Sequence, residues 1–145
     1  MNRKYGLHAV LILACAAIII FPMMRDKPDP AKEQLATTAA NKFLAEVDSA
    51  NFGVSWDIGA ALLKEKVSRE EWVDKLSQIH AITGKLVERK PTKSSFTTSA
   101  KDAPDGEYIT FLYDSNFDKR TERKESIITT LESDGVWRVA GYHIK

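Results

Sequence analysis

Residues 6–24 (GLHAVLILACAAIIIFPMM) carry no Lys, Arg, Asp or Glu, and no other stretch constrains the chain as strongly. An apolar run of about 18 residues is just long enough to cross a bilayer as a helix. Arg3 and Lys4 precede it, and Arg25-Asp26-Lys27 follows it. Because Lys and Arg favour the cytoplasmic side, the expected topology keeps the N-terminus inside and puts everything after Met24 outside. His8, the one polar intruder, sits near the charged end, where its ring reaches the interface.

Three fates compete for this segment. A cleaved signal peptide needs small residues after a short apolar core, and Ala14-Cys15-Ala16 supplies them. Cutting there would leave Ala17-Ile18-Ile19-Ile20-Phe21 as an apolar N-terminus. A lipoprotein reading takes Ile12-Leu13-Ala14-Cys15 as a loose lipobox with Cys15 acylated, although no polar tether follows the cysteine. An uncleaved signal anchor accounts for the whole run, and it is the expectation adopted. The chain then divides into residues 1–24 as anchor or signal peptide, 25–32 as tether, and 33–145 as an exported domain.

At 145 residues there is material for one domain. The single cysteine excludes an intramolecular disulfide framework and any multi-cysteine metal site. With Arg3 and Lys4 set aside, 19 basic and 20 acidic side chains remain, which gives no electrostatic case for nucleic acid.

The exported part reads as helices followed by strands. Asp29 is a fitting N-cap and Pro30 suits the first helical position. Leu35, Ala36, Ala39, Ala40, Phe43, Leu44 and Val47 make one apolar stripe, so the spacing predicts a helix to about Asp48 or Ala50. A second, weaker helix is expected over Asn51 to Glu65. Ser68-Arg69-Glu70-Glu71 is a capping box, with Val67 and Trp72 placed as a hydrophobic staple and Gly84 as the stop. After Gly84 the period becomes two. Leu86 to Lys90 and Ser94 to Ala100 are expected as strands, or as one bulged strand broken at Pro91. Ala103-Pro104-Asp105-Gly106 is a turn in which Gly106 can take a positive φ. Glu107 to Tyr113 is a strand, and Glu125–Glu132 with Val136–Ile144 forms a hairpin around Asp134-Gly135. Runs of helices followed by runs of strands indicate an α+β fold. After the N-terminal membrane helix, about three helices should pack on a curved antiparallel sheet of about four strands.

Phe43-Leu44-Ala45-Glu46-Val47-Asp48, Ser55-Trp56, Val67-Ser68 with Trp72, and Gly84 to Arg89 belong to one local pattern. It continues through Pro104-Asp105-Gly106-Glu107-Tyr108, Glu125, and Trp137-Arg138-Val139-Ala140-Gly141-Tyr142. Over roughly residues 33–144 the chain resembles the bacterial family called domain of unknown function 4019. One departure is Phe43, where members often carry Trp. The resemblance implies an exported α+β domain of cystatin-like or nuclear-transport-factor-like cone type. It implies no reaction, ligand or catalytic residue.

No Gly-x-Ser-x-Gly elbow and no glycine-rich phosphate loop is present. His80 and His143 lie far apart, without partners at ligand spacing, so no metal and no cofactor is implied. Asp48, Asp57 and Glu46 are carboxylates near a helix end and are candidates for acid–base work, with helix solubilisation as the plainer explanation. The candidate binding set is Arg89, Glu107, Tyr108, Glu125, Arg138 and Tyr142, all on expected strands. A concave sheet would gather some of them around a small pocket. The plainer explanation pairs Glu107 or Glu125 with Arg89 or Arg138 across the sheet surface, where each pair contributes about 0.2–1 kcal/mol. Lys119 to Glu125 is a dense charge run, expected as a solvated hairpin loop.

The expectation is therefore a single-pass protein of the bacterial inner membrane, its domain in the periplasm or exterior. It would act as a non-enzymatic protein-binding or assembly module whose partners are the membrane and an envelope protein. The alternative is a small-ligand pocket or uncharacterised enzyme between helices and sheet.

Overall fold

The computed structural model describes residues 26–100 and 102–145. The expected membrane segment, with Cys15 and its alternatives, lies outside the described residues. Among those described, no helix is long and apolar enough to cross a membrane.

Helix α1 spans Pro30–Asp48 and starts as the sequence dictates. The Asp29 carboxylate accepts from the Lys32 amide at 3.2 Å, and Pro30 fills the first turn without wasting a donor. Its buried face is Ala36, Ala40, Phe43, Leu44 and Val47. Leu35, expected in that stripe, is 60% exposed. One residue turns the helix by about 100°, so Leu35 points away from the surface that Ala36 buries. Ahead of α1 the described chain is held against the sheet. The Asp26 amide donates to the Phe96 carbonyl at 2.8 Å, and the Phe96 amide returns a bond of 2.7 Å.

The expected second helix is two short ones, α2 (Phe52–Asp57) and α3 (Ala61–Lys66). The break falls at Ile58-Gly59-Ala60, where the Ala60 amide leaves the helical ladder to donate to the Val139 carbonyl at 2.8 Å. Gly59 is tightly enclosed at this break, since a Cβ there would lie 2.6 Å from the Leu63 side chain and 3.1 Å from the Trp56 carbonyl. Helix α4 (Arg69–Thr83) is capped by Ser68, whose hydroxyl accepts from the Glu71 amide at 3.2 Å. Gly84 ends it at φ 75°, with Asp118 packed where a side chain would stand.

Four antiparallel strands follow in the order β1-β2-β3-β4: β1 (Leu86–Thr97), β2 (Tyr108–Phe117), β3 (Arg123–Leu131) and β4 (Trp137–Ile144). Pro91 does not break β1. The register shifts between Pro91 and Lys93, so the residue that cannot donate is absorbed at a bulge on an edge strand. Strand β2 runs four residues past its expected end, and β3 starts two residues early. At the Asp134-Gly135 turn Gly135 takes φ 79°, whereas in the β1–β2 connection the positive φ falls on Asp102 rather than Gly106.

One sheet face supplies Ile109, Phe111, Tyr113, Ile127, Val139 and Tyr142 to a core shared with Phe43, Trp72 and Leu76. On the other face a smaller cluster joins Tyr108, Ile128 and Ala140 to Ala60. Among the described residues the architecture is α+β, with four helices where three were expected after the N-terminal segment.

Candidate functional site: a buried charge cluster

The β2–β3 register places Glu125 opposite Tyr113, and the β1–β2 register places Arg89 opposite Ser115. Period two therefore carries Glu125 to the same face as Ile127 and Thr129, under the helices. The Glu125 carboxylate is fully buried. One oxygen accepts from Arg89 Nε at 2.7 Å and from the Ser115 hydroxyl; the other accepts from Arg89 Nη2 at 3.1 Å and from the Tyr142 hydroxyl. An ionised carboxylate has about four acceptor sites, and here all are filled.

The outer edge of the same guanidinium grips Asp48. Arg89 Nη1 and Nη2 donate to its two oxygens at 2.8 and 2.9 Å. Asp48 ends α1, where the helix dipole disfavours a carboxylate, and the last turn holds no basic residue. Arg89 supplies the cation that this terminus needs. Burial works to lower the Arg89 pKa, and the hydrogen bonds it donates to Asp48 and Glu125 outweigh it, holding the guanidinium above its ordinary value. Burial raises Tyr142 well above a free phenol, reinforced by the adjacent Glu125 charge. Burial likewise pushes Tyr113 up to about 12.

Asp48 and Tyr142 also line a cleft between α1, α4 and the end of the sheet, with Val47, Phe52, His80 and Phe117. Its cavity volume is ≈ 20 Å³, room for a water molecule. Pockets for organic ligands run to about 300–1,000 Å³. His80 stands at the rim with its ring edge-on to Phe52, centroids 5.8 Å apart.

Of the six candidate residues, the fold brings together Arg89, Glu125 and Tyr142. The other three are dispersed. Glu107 pairs with Lys32 of α1. Arg138 pairs with Glu132 at 2.7 Å and Asp134 at 2.9 Å around its own hairpin. Tyr108 lies in the smaller cluster on the opposite sheet face, donating to the Pro104 carbonyl at 2.5 Å. The expected surface pairing is thus corrected for Glu125, which meets Arg89 across two strand gaps inside the protein. The charge run is corrected too, since Arg123 to Glu125 belong to β3. Asp48 holds Arg89 rather than standing free as an acid or base, and Asp57 forms an exposed pair with Arg69 at 2.9 Å. Ser115 was not among the candidates, and its signal was its place on the face of Ile109, Phe111 and Tyr113.

Chemically the cluster locks β1, β2, β3, β4 and the end of α1 to one another. Its carboxylates have their oxygens committed, so it is built to position elements. Among the described residues no group of three or more His, Cys, Asp or Glu is placed to hold a metal ion.

No curated protein matches the chain. The family model described as protein of unknown function (DUF4019) matches residues 39–142, a span that includes Asp48, Arg89, Ser115, Glu125 and Tyr142, and the chain belongs to that family.

Proposed function

We propose that this is a membrane-tethered, non-enzymatic binding or assembly module of the bacterial cell envelope. Residues 6–24 hold it in the inner membrane, and a rigid domain of cone type presents its outer surface to a protein partner. The observation that carries this reading is the saturation of the charge cluster. Both Glu125 oxygens are fully occupied from within, and the adjoining cleft has a volume of ≈ 20 Å³. A domain whose polar interior is spent on its own architecture has its surface left for recognition.

The test places a photo-crosslinking amino acid at exposed Val54, Val87 or Val136, one at a time, in the full chain in its native envelope. One adduct of constant mass, arising from a single face, is the expected result. No adduct from any position, together with thermal stabilisation of the purified chain by a small organic molecule, would replace this reading with a ligand cavity.

A further inference from the structure

The chain has almost no slack between its apolar run and its fold. The run ends at Met24, and Asp26 is already fixed to the β1 edge by two backbone hydrogen bonds to Phe96, of 2.8 and 2.7 Å. Two residues span at most about 7 Å. Pro28 is buried and α1 begins at Pro30, so no flexible spacer follows either. Given the membrane-tethered reading, on which this step rests, we infer that the domain stands directly on the lipid headgroup layer in one fixed orientation. The end carrying Asp26 faces lipid, and the charge cluster and cleft face away.

The register identifies both ends. Phe96 lies opposite Ile109, Ile109 opposite Thr129, and Thr129 opposite Val139. The loop at 98–107 and the hairpin at 132–136 therefore share the end to which Asp26 is fixed. Helix α3 is tied there as well: Lys66 Nζ donates to the Asp102 carbonyl at 3.0 Å, and the Ala61 amide donates to Glu132 at 2.9 Å. At the other end Leu86 pairs with Phe117, beside Gly84, Asp48 and the hairpin at 118–122. Ten residues of β1 separate the two ends, about 30 Å of strand. The lipid-facing end mixes Lys27 and Lys66 with Asp29, Asp102 and Asp105, and pairs Lys32 with Glu107. Among these described side chains the acidic ones outnumber the basic, which gives no pull toward anionic lipid, so the contact is set by covalent reach, and the headgroup layer itself is the partner.

The experiment uses the full chain with Cys15→Ser, carrying Asp105→Cys at the near end or Arg120→Cys at the far end. Each thiol is labelled with an environment-sensitive fluorophore, and the protein is reconstituted into phosphatidylcholine vesicles bearing headgroup nitroxides. Flotation after alkaline carbonate washing reports the tether separately. The expected result is a floating protein whose Asp105→Cys label is quenched several-fold more than its Arg120→Cys label. A flexible Gly/Ser insertion of about 20 residues after Met24, with a mean reach of about 25 Å, should erase that difference without releasing the protein. A floating protein with equal quenching at both sites, or stronger quenching at Arg120→Cys, overturns the orientation and leaves the tether standing. A protein that does not float removes the tether, and the orientation with it.

Discussion

Arg89 and Arg138 are both strand arginines flanked by two carboxylates, and they do opposite things. Arg138 bridges Glu132 and Asp134 at the mouth of its own hairpin, with a third of its side chain in water. Arg89 bridges Asp48 and Glu125 from elements far apart in sequence, and only 12% of its side chain is accessible. Partner number is equal, so it cannot be what separates them. What separates them is the cost of leaving a partner behind. Water re-solvates Glu132 if Arg138 is lost, whereas Glu125 has nowhere to turn.

That contrast is sharpest in the first prediction. Arg89→Met should cost about 3–5 kcal/mol, because it strands a buried carboxylate. Adding Glu125→Leu should recover part of that loss, since removing both charges is cheaper than orphaning one. Urea denaturation of the three proteins checks it, and a double variant no more stable than Arg89→Met would show that packing, not charge, dominates the site.

A pH prediction separates the same two regions. Tyr113 ionises at 10.0 in an unfolded chain and at about 12 in the folded one, where it is buried beside the cluster. The unfolded state therefore loses this proton first. Stability should be unaffected below pH 10 and should fall as pH rises from 10 toward 12, by at most about 1.4 kcal/mol per pH unit for this group. Tyr142 is raised for the same reason and adds to the decline. Tyr113→Phe should flatten the alkaline limb, while Arg138→Ala should leave its shape unchanged. Denaturation midpoints measured across that range decide the point.

How much of this could be read beforehand depended on how local the causes were. Asp29-Pro30, the Ser68 capping box and Asp134-Gly135 each act within four residues, and the elements they start or turn stand where expected. The second helix was expected whole because the cause of its division is a carbonyl of β4 that no local pattern contains. Glu125 was hidden by its neighbours. It closes the run Lys119 to Glu125, which resembles a solvated loop, and only period-two alternation back from Ile127 and Thr129 marks it as core-facing. The six candidate residues included three of the cluster's members. They could not be sorted from the rest without knowing that the end of α1 lies over β1.

On the exposed side of the comparison, Arg138→Ala should cost only about 0.2–1 kcal/mol, discounted by solvent screening. The same urea series measures it. A loss approaching that of Arg89→Met would mean that the β3–β4 hairpin relies on this pair for its register, and the distinction between the two arginines would collapse.

The smallest expected effect lies just beyond Asp48, at the turn that delivers its carboxylate. Ala50 takes φ 60°, a conformation in which a Cβ crowds the following carbonyl. Its amide donates to the Val47 carbonyl at 3.0 Å, and the Asn51 amide donates to Glu46 at 2.8 Å, so the helix end is closed by this left-handed residue. Glycine removes the crowding, but it also gives the unfolded chain more freedom to lose. Ala50→Gly should therefore stabilise by no more than about 1 kcal/mol. If the helix end is set by its own residues rather than by the cluster, the gain should survive in the Arg89→Met background. A gain that vanishes there would mean that Arg89, through Asp48, imposes the strained turn, and that the buried cluster shapes backbone as well as holding side chains.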